Sequence, residues 1–172
     1  MWNGTGIDMS IFRPDHLIDD IYALPLAELK EKGITHILFD VDNTIVPYNS
    51  QEIPEKTVEW FHATTKDGFH LCILSNNSDE RVAPVAEKLG IDFVAHSKKP
   101  LLNGANRAVK LFNAPKEQIA LVGDQLLTDV ACGNRAGFTT FVVKPINPDE
   151  LWITKWNRNY EKLLYRLMGI KR

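Results

Sequence analysis

Short apolar runs alternate along the chain with stretches whose apolar positions recur every three or four residues. The runs predict buried strands, and the stretches predict amphipathic helices. "THILFDV", "FHLCILSN", "DFVAH", "QIALVGD" and "TTFVVKP" predict five strands. Between them, "PEKTVEWFHATTKDG" reads as a helix opened by Pro54 and closed near Gly68. "SDERVAPVAEKLG" reads as a helix bent at Pro84 and stopped by Gly90. "LLNGANRAVKLFN" and "LLTDVACGNRAG" predict two more helices. The N-terminal segment 14–32 is expected to be helical, with a break at Pro25, and 154–168 to form a C-terminal amphipathic helix.

Strands that alternate with helices require parallel crossovers. The expected fold class is therefore α/β, a Rossmann-like and mostly parallel central sheet with helices on both faces. No repeat, low-complexity stretch or linker divides the chain, so residues 1–172 read as one domain with a motif core at 34–145.

Composition changes this picture little: 44% hydrophobic and 24% charged residues are ordinary globular values. A net charge of -2 gives no electrostatic case for nucleic acid, and none is expected as a partner. The charge is uneven, however. Residues 155–172 carry six Lys/Arg and one Glu, a local +5 that leaves -7 on the remainder. Cys72 and Cys132 lie far apart without a CxxC or His partner, which argues against zinc. No basic region followed by an apolar stretch opens the chain, and no apolar run reaches the ~18 residues that span a bilayer. A cytoplasmic location is expected, with peripheral contact at the inner membrane face as its variant.

Ligands of open parallel sheets bind beyond the carboxyl ends of the strands. Polar clusters stand at four such ends: Asp40-Val41-Asp42-Asn43-Thr44, Ser75-Asn76-Asn77, Lys98-Lys99-Pro100, and Gly123-Asp124 with Asp129 five residues on. Clustered carboxylates repel one another unless a cation sits among them. Asp40, Asp42, Asp124 and Asp129 offer hard oxygen ligands, which suit Mg2+ completed by water and a phosphate oxygen. Ser75 offers a hydroxyl, and the backbone N–H groups from Asn76 onward lie near a helix start, a natural phosphate seat. Lys99 offers a compact positive charge for the same anion. Asp40 could attack phosphorus while Asp42, two positions along, reaches the leaving oxygen. Each residue also has a structural explanation: Asp and Asn favour turns, Ser75 could cap a helix, and Asp129 could merely sit on one. His36, His62, His70 and His96 share no spacing and receive no role. Neither GxGxxG after a strand nor GxxxxGK[ST] occurs, so a nucleotide cofactor is unsupported.

Taken together, "FDVDNT", "LSNN", "KKP" and "GDQLLTD" resemble, in order, the four motifs of the haloacid dehalogenase (HAD) superfamily of phosphohydrolases. "FDVDNTIVPY", "VGDQLLTDVACGNRAGF" and "TKWNR" resemble more closely the YqeG-type members, related to mitochondrial phosphatidylglycerophosphate phosphatases. The resemblance implies a HAD fold and a phosphatase that forms an aspartyl-phosphate on Asp40, with Asp42 as acid and base. It implies Mg2+ on the Asp40 carboxylate, the Asp42 backbone carbonyl and Asp124, with Asp129 a ligand or the neighbour that orients one. Ser75 and Lys99 would hold the phosphate, with Lys98 the other candidate lysine. A lipid phosphate is permitted as substrate.

Only 34 residues separate Asp40 from Ser75 and 23 separate Ser75 from Lys99, which leaves no room for a large cap domain. An open site admits a phosphate attached to something bulky. The competing expectations are a phosphatase for a soluble phosphosugar or nucleotide, a phospho-aspartate signalling module, and a binding protein without turnover. For the C-terminal helix, Trp152, Trp156, Tyr160, Leu163, Leu164 and Leu167 form an apolar stripe, with Lys155, Arg158, Lys162 and Arg166 largely off it. Such a helix either packs on the domain or lies on an anionic membrane.

Overall fold

The computed structural model describes residues 9–48, 50–147, 162–166 and 168–169. Its strands are β1 (His16–Ile18), β2 (His36–Phe39), β3 (His70–Leu74), β4 (Asp92–Val94), β5 (Ile119–Gly123) and β6 (Thr139–Val143). They form one sheet in the order β1-β6-β5-β2-β3-β4, with every pairing parallel. The helices are α1 (Leu26–Glu31), α2 (Glu55–Lys66), α3 (Asp79–Leu89), α4 (Leu102–Phe112) and α5 (Ala131–Ala136).

Beyond His36 and His70, which open β2 and β3, the central strands are apolar because both faces of the sheet are covered. Side chains of a strand alternate between faces. Ile37 and Phe39 of β2 therefore pack with Phe61 of α2 and Leu89 of α3, whereas Leu38 packs with Ala105 and Ala108 of α4 and Cys132 of α5. Leu71 and Ile73 of β3 likewise join the first layer, and Cys72 and Leu74 the second. Burial pushes the Cys72 thiol up to about 12, so it is a protonated core residue.

From β2 the chain runs outward through β3 to β4, then returns to the far side of β2 as β5. The carboxyl ends of β2 and β5 therefore flank the point at which strand order reverses. This is where a crevice opens in such sheets. Among the described residues only α2 lies between β2 and β3, and only α3 between β3 and β4, so neither connection holds a large cap.

The N-terminal expectation needs correction. Segment 14–32 is not helical up to Pro25: it begins with β1, a sixth strand. The Asp15 carboxylate accepts hydrogen bonds from the Thr140 backbone N–H (2.8 Å) and hydroxyl (3.0 Å), which holds β1 on β6. Asp20 then accepts from the N–H groups of Tyr22 (2.9 Å) and Ala23 (3.1 Å), turning the chain into a short 3-10 turn before α1. "LLTDVACGNRAG" is also more than one α-helix: Leu126–Val130 is a π-helical turn that leads into α5. In α5, the Asn134 side-chain amide donates to the carbonyls of Ile11 (2.9 Å) and Arg13 (2.8 Å), pinning the segment that precedes β1.

Most of the expected C-terminal helix, 154–161 and 167, lies outside the described residues. Residues 162–166 are helical. Buried Tyr165 packs with Leu126, Val130 and Val142, and Leu164 and Met168 lie against the same cluster. Among the described residues no helix is long and apolar enough to cross a membrane.

Candidate active site

Asp40 follows β2 directly, and its N–H extends the ladder to the Val122 carbonyl (2.9 Å). The chain must turn at once, and Asn43 does so in the left-handed region (φ 61). Asn tolerates that conformation better than other non-glycine residues. The Asn43 N–H then donates to the Val46 carbonyl (2.7 Å), closing the loop. Thr44 is buried, but its hydroxyl makes no hydrogen bond to the described residues, so it shapes the turn through its backbone.

Lys99 comes from the loop after β4, which contains two left-handed residues, His96 (φ 47) and Lys98 (φ 58). Asn76 fixes that loop. Its side-chain carbonyl accepts from the Ser97 hydroxyl (2.7 Å) and the Lys99 N–H (2.6 Å), and its amide donates to the Lys99 carbonyl (3.0 Å). Gly104 lets α4 approach closely, since a Cβ there would lie 2.4 Å from the Ser97 Cβ. Lys99 is consequently buried and Lys98 exposed. The Lys99 ammonium donates to the Leu74 carbonyl (2.6 Å) and pairs with Asp40 (2.8 Å) and Asp129 (2.7 Å).

Asp124 follows β5, and Asp129 rides on the π-helical turn. The Asp129 carboxylate accepts the Gln125 N–H (3.1 Å). The glycine before Asp124 is required here: a Cβ on Gly123 would lie 2.3 Å from the Asp129 carboxyl group. Carboxylate oxygens of Asp40, Asp124 and Asp129 all fall within 4.8 Å of one another. These residues are 89 apart in sequence at the extreme, yet share one pole of the sheet.

Electrostatics at this pole are strained by burial. Burial pushes the Asp40 carboxyl up to about 6, against the pull of Lys99, and repulsion from Asp129 and Asp42 adds to the rise. Burial opposes the charge on Lys99, but Asp129 and Asp40 outweigh it and hold the ammonium above its ordinary range. A single ammonium among three carboxylates leaves net negative charge in a low-dielectric site. A divalent cation with a preference for oxygen fits that donor set.

Asp42 lies apart from that cluster. One of its oxygens accepts from Arg81 Nη2 (2.6 Å) and the other from Asn77 Nδ2 (2.5 Å). Asn77 also donates to the Ser75 hydroxyl through its backbone N–H (3.3 Å) and its side chain (3.3 Å). Asp40, Asp42, Ser75, Asn76, Lys99 and Asp129 line one cleft of about 150 Å³, together with Tyr48, Asn77, Gln125 and Thr128. Sequence reasoning named Asp40, Asp42, Ser75, Asn76, Lys99, Asp124 and Asp129, and the fold gathers them at one edge. It missed Asn77 and Arg81. Asn77 stood in "LSNN" without a role of its own, and nothing local marks Arg81, whose partner is 39 positions away. A larger hollow of about 430 Å³ opens at the opposite edge of the sheet beside Phe69, His70, Ile91 and Phe112. It contains none of these groups.

A family model described as mitochondrial PGP phosphatase matches residues 6–147. The chain belongs to that family. This PGP phosphatase family member is 37% identical over 161 residues to "Probable phosphatase YqeG" of Bacillus subtilis (strain 168), covering 94% of this chain and 92% of that one. It is 25% identical to phosphatidylglycerophosphate phosphatase 1, chloroplastic/mitochondrial, of Arabidopsis thaliana; 92% of this chain is covered, but only 49% of the plant protein. In fold it is similar to the cobalt-bound deoxy-D-mannose-octulosonate 8-phosphate phosphatase of Haemophilus influenzae, with a TM-score of 0.53, 16% identity, and coverage of 81% of this chain and 92% of that one. The chain is thus a phosphatase with a HAD-type fold, and its substrate is a phosphorylated compound.

Proposed function

We propose that this phosphatase is a Mg2+-dependent phosphomonoester hydrolase that works through an aspartyl-phosphate on Asp40 and takes phosphatidylglycerophosphate as substrate. The observation that carries the reading is the junction of Asp40, Lys99 and Asp129 at the strand-order reversal, with Asp124 within reach of the same ion. Asp40, Asp124, Asp129 and the Asp42 backbone carbonyl would hold the metal. When bound, it supplies positive charge to the transferring phosphoryl group.

In the first step an Asp40 oxygen attacks phosphorus, the bond to the leaving oxygen breaks, and Asp42 gives that oxygen a proton. In the second, Asp42 takes a proton from water as the water oxygen attacks the same phosphorus; the bond to Asp40 breaks and inorganic phosphate leaves. Lys99 and the Ser75 hydroxyl neutralise the equatorial oxygens, which is where phosphoryl transfer gains most of its rate. The fixed loop around Lys99 keeps its ammonium in place through both steps.

A cleft without a large cap among the described residues supports a bulky lipid substrate, as does the name of the Arabidopsis relative. Peripheral contact with an anionic membrane falls to the exposed side of the C-terminal helix, Lys162, Leu163 and Arg166, since Tyr165 is occupied by the core. Purified protein is to be assayed with Mg2+ and with EDTA. The substrates are phosphatidylglycerophosphate in vesicles, a phosphosugar and a nucleotide, with Asp40→Asn alongside. Phosphate release from the lipid, lost with EDTA and with Asp40→Asn, is expected. Near-normal hydrolysis by Asp40→Asn would overturn the mechanism, and a preference for either soluble ester would overturn the substrate.

A further inference from the structure

We infer that Arg81, with Asn77 beside it, is a positioning residue that sets the orientation of the Asp42 carboxylate for proton transfer; the inference rests on the aspartyl-phosphate reading above. Asp42 lines the cleft and Arg81 does not; Arg81 meets the cleft through its bond to Asp42. Both carboxylate oxygens are engaged, one by Arg81 Nη2 and the other by Asn77 Nδ2. An aspartate held at one oxygen can still swing about its two side-chain torsions. Held at both, it presents one edge. Asn77 also bonds the Ser75 hydroxyl, so the same amide registers the acid against the phosphate seat.

The pair does not read as a structural strut. Arg81 Nε and Nη1 are buried with no hydrogen-bond partner among the described residues, so the guanidinium stitches no further loop to α3. The side chains are only 15% and 13% exposed. Removing two charges from water this far costs about as much as their attraction returns, so such a pair is a poor source of net stability. What it does supply is direction. Arg81 holds one oxygen end-on through Nη2, and Asn77 on the other oxygen completes the hold.

Orientation of an acid predicts a dependence on the leaving group. An alkyl ester needs a proton on its departing oxygen, whereas an aryl ester departs readily without one. In a double displacement kcat/KM reports only the steps through formation of phospho-Asp40, so it isolates that proton transfer. Arg81→Ala, Arg81→Lys and Asn77→Ala are to be compared with the parent on glycerophosphate and on nitrophenyl phosphate, with circular dichroism as the check on folding. Arg81→Ala is expected to lose about 10- to 100-fold in kcat/KM on the alkyl ester, part of what general acid catalysis supplies. It should lose less than about threefold on the aryl ester, and Arg81→Lys should recover part of the alkyl loss. Asn77→Ala, which keeps the ion pair but also frees the Ser75 hydroxyl, should lose on both esters and more on the alkyl one, and carries the test if Arg81→Ala does not fold. Equal losses on both esters, no loss on either, or a gain in an otherwise active enzyme would overturn the positioning role alone. A parent without phosphomonoesterase activity would overturn both readings.

Discussion

Replacing Lys99 by methionine removes the ammonium that lies between Asp40 and Asp129. The replacement roughly preserves the stem of the side chain and deletes the charge. Each contact, at 2.8 and 2.7 Å, corresponds to a Coulomb attraction of about 6 kcal/mol at an effective dielectric of about 20. Most of that is offset by the several kcal/mol needed to take each ion out of water. The parent is therefore not 12 kcal/mol the better for its lysine. The substitution, however, strands two carboxylates that stay buried, and breaking a buried pair in this way costs about 3–5 kcal/mol. For a chain of this size that lowers the melting temperature by roughly 6–20 °C. The loss is expected in EDTA at pH 7.5, followed by thermal and urea melts.

Proton uptake limits it at lower pH. Asp40 holds its proton to about 6 in the fold, against 3.8 ordinarily. Folding therefore takes up a proton between those values, and the stability due to the protonated group fades as pH rises through them. Without Lys99 the folded value moves further up, so the deficit of Lys99→Met should shrink from pH 7.5 to pH 5. Mg2+ should also restore part of it, by supplying positive charge to the same carboxylates. A variant that melts within a degree of the parent in EDTA at pH 7.5 would refute the assignment of Lys99 as their counterion.

Two other outcomes follow from the same geometry. Gly123→Ala drives a Cβ into the Asp129 carboxyl group and should cost about 1–3 kcal/mol in melts, with turnover falling by as much as about 100-fold as the acid is displaced; parent-like kinetics would show that Asp129 can move freely. Mg2+ must compete with the proton on Asp40, so its thermal stabilisation of the parent should grow between pH 5 and pH 7.5, and a shift independent of pH would remove Asp40 from the ligand set.

Much of the site was legible because its chemistry sits at the ends of apolar runs. "ILFD" and "ALVGD" each say that a buried strand stops at an acid, and an acid there has to find a partner. The loop lysine was harder to read, since Lys98 and Lys99 look alike in sequence. Backbone geometry separates them: Lys98 takes the left-handed conformation and is exposed, while the Asn76 side chain holds Lys99 by both its N–H and its carbonyl. Asn76 was expected at the phosphate through its backbone N–H, and its side chain holds that loop.

The sequence by itself determined the parallel α/β class, five of the six strands among the described residues, and the carboxylates that crowd one pole. Local periodicity reports how a segment buries its own faces, and that is enough for each of these. It cannot report which distant segment lies alongside. Strand β1 is three residues long and gains its identity from Thr140 and the edge of β6, so the pattern around it looked helical. The Arg81–Asp42 pair likewise exists only once β3 lies beside β2, and the bridge from Asp40 through Lys99 to Asp129 only once β5 has returned to the far side of β2. Tertiary structure decided them because a charge buried at a sheet edge is stable only beside its partner, and the crossovers alone choose that partner.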